Sequence, residues 1–174
     1  MGAPSSPLSA DSGVGEYKML RLAGAMILLT AAIPAHATNW TFVDSADTYE
    51  NITFIDKDGI RTDASGITVA TMFSVFATDT DGASAYRFNI EVNCTTQKSR
   101  LVTGQMYDTA RAAQGEEAMQ GEWETVDPGS QGATITKFVC SKGAAYPNAP
   151  SSGAALPFDK GKEILAKQRA GKGN

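Results

Sequence analysis

Between residues 39 and 107 the chain alternates apolar and polar positions with a period of two, which turns successive side chains to opposite faces of a strand. Residues 39–43 (Asn-Trp-Thr-Phe-Val) predict a first strand, and residues 49–55 a second after a polar loop. Asp56-Lys57-Asp58-Gly59 carries the residues of a tight turn, with residues 60–62 returning antiparallel. Residues 67–77 are the longest β-rich run. There Ile67, Val69, Phe73 and Val75 share one side and Met72 and Phe76 the other, so both faces are expected to be partly covered. A second turn over residues 78–82 leads to residues 85–94, where Tyr86, Phe88, Ile90, Val92 and Cys94 oppose Arg87, Asn89, Glu91 and Asn93. That pattern predicts a half-buried strand with Cys94 on the core side. Residues 99–107 repeat it, with Leu101, Thr103, Gln105 and Tyr107 in phase.

The period is lost after Tyr107. Residues 108–121 read as loop or loose helix, and residues 122–126 as a short strand closing the β region. Asp127-Pro128-Gly129-Ser130 then starts a helix, with Ser130 as its N-cap. Ala133, Lys137 and Cys140 fall on helical spacing, as do Ile135, Phe138 and Val139. A strand is the alternative, because Thr134, Ile135, Thr136 and Val139 are β-branched. The expected fold is therefore α+β: an antiparallel sheet of about five to six strands with a helix behind it. Residues 144–157 hold three prolines among Ser, Asn and Gly and predict extended or disordered chain. Residues 159–169 predict a short helix, marginal unless it docks. Residues 144–174 thus read as a flexible, basic tail after a domain over residues 38–143.

Upstream, the sequence changes that picture by adding an address. Lys18 and Arg21 flank an apolar run from Leu22 to Ile33, and Ala35-His36-Ala37 is a small-x-small cleavage site preceded by Pro34. Residues 19–37 read as a secretory signal peptide; the apolar run is shorter than the roughly 20 residues of a spanning helix. Residues 1–18, rich in Pro, Ser and Gly, read as a non-native or mis-annotated leader. Cleavage would leave 137 residues, enough for one modest core. With no cysteine directly after the cleavage site, neither a lipid anchor nor a membrane span is expected in the mature chain. Localisation is read as periplasmic, with the cell surface or the medium as alternatives.

Export gives the chain's two cysteines a meaning. Cys94 and Cys140, 46 residues apart, allow one intramolecular bridge in an oxidising compartment. Two free thiols or an intermolecular pair are the other readings. The sole histidine, His36, lies inside the signal, so Ser-His-Asp, Cys-His and His-containing zinc sites are not expected in the mature chain. Residues 38–157 carry eight Lys and Arg against fifteen Asp and Glu, a balance of −7, whereas residues 158–174 carry +3. A negative body argues against nucleic acid as a partner.

Candidate chemistry is sparse. Asp56-x-Asp58-Gly59 and Asp79-x-Asp81-Gly82 each resemble half a calcium loop, but both lack the third acidic position and the distant glutamate, and hairpin turns use the same residues. Turns are the reading taken, and no metal is assigned. Asn51-Ile52-Thr53 matches a glycosylation sequon of a kind common by chance. Glu116-Glu117 and Glu122/Glu124 could supply paired acids for a hydrolase only if they faced one cleft; nothing in their spacing shows convergence, and a solvated acidic face is the reading taken. Trp40, Tyr49, Tyr107, Trp123 and Tyr146 read as core or as a flat binding face, the two Trp as mostly structural. No catalytic residue and no cofactor is assigned, and the chain is read as a non-enzyme.

Taken together, the strand bearing Trp40, the Tyr49 and Asp56 pair, Asn93-Cys94, Arg100, Tyr107, Trp123, Asp127-Pro128-Gly129-Ser130 and Cys140 resemble the surface-adhesin protein E family of Gram-negative bacteria. The resemblance covers roughly residues 40–141. It implies a curved antiparallel sheet with a C-terminal helix held on its concave side by the equivalent of a Cys94–Cys140 bridge. It also implies an envelope protein that binds host matrix proteins such as vitronectin and laminin, or another envelope component. The family's best-known member also binds haem, and a haem ligand here would have to be Met, Tyr or Cys, so haem is not assigned. Two residues depart from the pattern: Asn93 stands where the family often has Asp, and the lipid-bearing cysteine is missing. The alternatives are a carboxylate-based periplasmic hydrolase or a structural periplasmic protein without a stable ligand.

Overall fold

In the computed structural model, residues 38–45 and 50–172 are described. The leader, the signal segment and Tyr49 lie outside the described residues. Two apolar clusters on opposite faces of one antiparallel sheet organise this region. The strands are β1 (Trp40–Ser45), β2 (Asn51–Asp56), β3 (Arg61–Thr62), β4 (Ile67–Thr80), β5 (Ala83–Asn93), β6 (Lys98–Asp108), β7 (Ala113–Ala118) and β8 (Glu124–Thr125). The main order is β1-β2-β4-β5-β6-β7, with β3 paired to β4 and β8 to β6. Two helices come after them, α1 (Gln131–Cys140) and α2 (Phe158–Lys172). The α+β class holds, with eight strands where about five to six were expected.

The alternation in β2 shows how both faces fill. Ile52 and Phe54 belong to one cluster, with Trp40, Phe73, Val75 and Tyr107, and α2 covers it through Phe158 and Leu165. Ile55 turns the other way and joins Ala70, Ile90 and Val92 under Phe138 and Val139 of α1. Both faces of β4 are thus covered in part, as its two-sided pattern implied. Phe73, fully buried, sits among Trp40, Tyr107 and Phe158, with ring centroids 5.1–5.6 Å apart.

Turn chemistry closes the hairpins. Between β4 and β5, Asp81 and Gly82 both have positive φ, 50° and 79°, the geometry that matches strand twist in a two-residue hairpin. Asp56 accepts the Asn39 backbone N–H at 2.9 Å, and residues 57–59 form a 3-10 turn. Asp79 pairs with Lys162 at 3.2 Å. Among the described residues, no three or more His, Cys, Asp or Glu are grouped to hold a metal ion.

Four local expectations are corrected. Residues 108–121 hold a strand, β7, rather than loop or loose helix: every residue in it is exposed, so no apolar period marks it, and pairing with β6 creates it. In β6, Leu101 pairs with Ile90 and Thr103 with Asn89, which leaves Val102 as an extra residue. That bulge turns Leu101 to the α1 face and Tyr107 to the α2 face, although their spacing puts them in phase. The closing strand is only Glu124–Thr125.

The fourth concerns the tail. Residues 144–172 pack on the sheet rather than trailing from it. The Trp40 N–H donates to the Gly153 carbonyl at 3.0 Å, Phe42 N–H to Pro150 at 2.9 Å, and Ser152 N–H to Trp40 at 2.7 Å. The proline-rich stretch thereby covers the β1 edge, where a missing N–H does no harm if it faces away from the ladder. In α2, Phe158 and Leu165 are buried, and Arg111 reaches Asp159 at 2.7 Å.

The ion pairs of α2 carry a pH prediction. Arg111 holds the Asp159 carboxyl below its ordinary pKa, and Lys167 and Lys160 do the same for Glu163. A carboxyl whose pKa is lower folded than unfolded stabilises the fold above the unfolded value of about 4; that contribution is lost as pH falls through the folded value. Both groups are exposed, so the effect is small. Asp159→Asn is expected to make the fall in Tm below about pH 4 shallower and to leave the slope between about pH 6 and 8 unchanged. Thermal melts across pH check it; an identical acid limb would remove this pair from the account.

Candidate functional site

The disulfide fixes the geometry of the α1 face. Cys94 directly follows β5 and Cys140 closes α1, and the two are bonded with Cα atoms 5.6 Å apart. At the other end, Ser130 Oγ accepts the Ala133 N–H at 3.2 Å and donates to the Asp127 carbonyl at 2.7 Å, while Gly129 takes φ 82° in the turn before it. Ser130 is therefore the N-cap that the sequence predicts. The helix has ten residues, about 15 Å, whereas the eleven residues of β5 span about 36 Å. One short helix cannot cover that face.

Beyond the helix, the open surface is aromatic and thioether. Phe76, Tyr86 and Phe88 share the α1-side parity of β4 and β5 and are each only half-buried. Phe76 meets Tyr86 edge-on at 5.7 Å, and Tyr86 stacks on Phe88 at 5.6 Å with the ring planes 12° apart. Met119, 37% exposed, lies beside them. A Cβ on Gly104 would come within 2.8 Å of Met119 Sδ and 3.3 Å of Phe88, so a larger residue there would displace the Met119 side chain.

Two depressions flank Met119. The larger, about 500 Å³, has Met72, Ile90 and Leu101 as its floor and Gly132, Ile135 and Thr136 of α1 as a wall. The smaller, about 280 Å³, is bounded by Tyr86, Phe88, Gly104, Met106 and Glu117. Glu122 and Glu124 stand at the rim of the larger one.

The opposite face is occupied by its own polar ladder beyond α2. Thr71 Oγ1 donates to Asn89 Oδ1 at 2.9 Å, Asn89 Nδ2 to Thr103 Oγ1 at 2.8 Å, and Thr103 Oγ1 to Glu116 Oε1 at 2.6 Å. Arg87 approaches Glu116 at 3.7 Å. These bonds cross four strands and hold the exposed β7 in register. Glu116 and Glu117 are consecutive in β7 and therefore project to opposite faces.

The residues that carried the sequence resemblance do not converge on one place. Trp40 is buried in the α2-side core, and Asp56 is bonded to Asn39 at the end of β2. Tyr107 is buried, its hydroxyl donating to Gln105 Oε1 at 3.1 Å. Pro128, Gly129 and Ser130 shape the start of α1. Apart from the bonded Cys94–Cys140 pair, Arg100 and Trp123 meet among the described residues: the guanidinium lies 4.8 Å from the indole centroid while pairing with Glu91 at 2.6 Å. Tyr146 is half-buried, 5.8 Å from Phe138. Alternation places Tyr86 and Phe88 on the apolar side of β5 but does not single them out, because it does not tell where a covering helix stops.

The family described as surface-adhesin protein E matches residues 40–141. Among solved structures, the chain is similar to protein E of Haemophilus influenzae: 16% identity over 62% of this chain and 88% of that one, TM-score 0.45. Crystal form II of that protein gives 15% identity, 51% and 80% coverage and a TM-score of 0.43. Protein E from non-typeable Haemophilus influenzae gives 11% identity, 74% and 89% coverage and a TM-score of 0.43. No curated protein matches the chain. The family match takes in more than half of the sequence, from the first residue of β1 to the residue after α1, both cysteines included. The chain belongs to the surface-adhesin protein E family.

Proposed function

We propose that this protein is a non-catalytic, exported envelope adhesin that holds a protein or envelope component against the uncovered part of its α1 face. The observation that carries the reading is the half-buried strip Phe76–Tyr86–Phe88, stacked and unshielded on one side of a sheet whose opposite face is filled by α2 and a bonded polar ladder. Aromatic side chains supply large contact area with few rotamers to freeze, which suits protein recognition. Family membership supports adhesion as the task. Among the described residues, no helix is long and apolar enough to cross a membrane. The hydrolase alternative loses support at the Glu116–Glu117 pair, which faces opposite sides of the sheet with Glu116 committed to Thr103 and Asn89; Glu122 and Glu124, both at the rim of the larger depression, are the pair left to it.

The test has two arms. Purified protein is passed over immobilised vitronectin and laminin beside a Tyr86→Ser/Phe88→Ser variant, with circular dichroism as the folding control. Saturable binding that falls at least about tenfold in the variant is expected from the loss of two aromatic contacts. No binding by either protein, or equal binding by both, would sink the matrix-adhesin reading. Protease accessibility on intact cells, with a periplasmic marker as control, then separates surface display from a periplasmic location.

A further inference from the structure

The two depressions that flank Met119 combine apolar walls with unpaired charge of one sign. Their floor is Met72, Ile90, Leu101 and Phe88, and Met119 lies between them over Gly104. Three carboxylates border them: Glu117 at the smaller, Glu122 and Glu124 at the larger. Among the described residues, none of the three has a side-chain hydrogen bond or an ion pair. The one cation at the rim, Arg100, is already held by Glu91 at 2.6 Å and lies over Trp123. An incoming group at this groove therefore meets apolar surface and net negative charge together.

We infer that the two depressions form one docking groove for a cationic amphipathic peptide segment of a partner protein. This rests on the binding reading above and names the chemistry of the partner. The segment would place one apolar side chain in each depression and Lys or Arg against the acidic rim. The strand rise sets the distance: from Ile90 to the midpoint of Tyr86 and Phe88 is about three residues, or about 10 Å. Apolar residues seven apart on a helix are separated by nearly the same span, about 10.5 Å. Met119 is unbranched and exposed, so it can repack around either anchor. Charge sets the sign of the preference. A segment carrying Asp or Glu would bring like charge against three unneutralised carboxylates, whereas Lys or Arg brings opposite charge.

The experiment is a fluorescence-anisotropy titration of the disulfide-intact protein with three labelled synthetic peptides. The first is a helical leucine–lysine peptide with leucines at i, i+3 and i+7 on one face. In the second, glutamate replaces every lysine; in the third, serine replaces every leucine. The first is expected to bind at least about tenfold more tightly than either control, with affinity falling as salt rises. Met119→Lys, at an exposed position, and the triple variant Glu117→Gln/Glu122→Gln/Glu124→Gln should each weaken it about tenfold while circular dichroism is unchanged. The inference is overturned if the lysine–serine peptide binds as well as the first, since bare charge would then suffice. It is also overturned if both variants bind like the parent. A homodimer in sedimentation equilibrium that Met119→Lys disperses would overturn it too, by making a second copy the occupant. Failure here with retained binding to the matrix coats would remove the groove and leave the adhesin reading standing. Peptide binding with silent coats would do the reverse.

Discussion

Replacing Cys94 and Cys140 together with alanine is expected to lower the unfolding free energy by about 4 kcal/mol, read from denaturant titration. The bridge joins residues 46 apart, and closing a loop of that size removes about 4 kcal/mol of chain entropy from the unfolded state. For a domain whose net stability is on the order of 5–15 kcal/mol, that is a large share. The native side of the balance points the same way. α1 has only ten residues, too few to persist alone in water, and it stays on the sheet through Phe138, Val139 and its terminal cysteine. The denaturant slope should rise with the loss of stability, because the unfolded chain without its cross-link exposes more surface. Unchanged midpoint and slope would mean that α1 is held by packing alone and that the bridge is incidental to stability.

The second large effect lies in the segment beyond the family match. Leu165→Ala is expected to cost about 2–5 kcal/mol, the range for truncating a buried leucine whose cavity cannot close. Leu165 is 1% exposed in the cluster that contains Phe73 and Phe158. Gly161→Leu should be as damaging by the opposite route. A Cβ at that position would already meet Val75 at 2.8 Å, so a larger side chain must push α2 away from β4. Thermal and denaturant unfolding of the two variants measures both. If each stayed within about 0.5 kcal/mol of the parent, the ordinary range for surface changes, α2 would have to be a loosely attached appendage.

Pattern and structure agree where a side chain's chemistry records its own surroundings. Residues 85–94 are legible because one face of the strand is buried and the other is not. The Ser130 cap is legible because Ser bonds a free helix N–H where Ala could not. β7 is invisible in the pattern: Ala, Gln, Gly and Glu are poor strand formers, and its hydrogen bonds to β6 depend on a neighbour outside any local window. The bulge at Val102 is equally hidden, since one extra residue inverts the facing of every later position in the strand without altering any residue's identity. The tail misleads because Pro, Ser and Gly favour disorder only when no edge is at hand to receive them. Here β1 supplies that edge.

The candidate site divides along the same line. Parity alone assigns Tyr86 and Phe88 to the α1 side of β5, yet the same parity holds for Ile90 and Val92, which are buried. Local alternation determined the strands from β1 to β6, the hairpin turns and the side of the sheet that Cys94 faces, because these depend on neighbours two residues away. Pairing of the only two cysteines came from counting them. Which aromatic rings are covered and which remain open was decided by where a ten-residue helix comes to rest on a strand more than twice its length. Docking of α2, the fate of the proline-rich segment and the meeting of Met119 with Gly104 were decided in the same way. Each depends on residues brought together from distant parts of the chain, and burial is a property of that assembly and not of any segment alone.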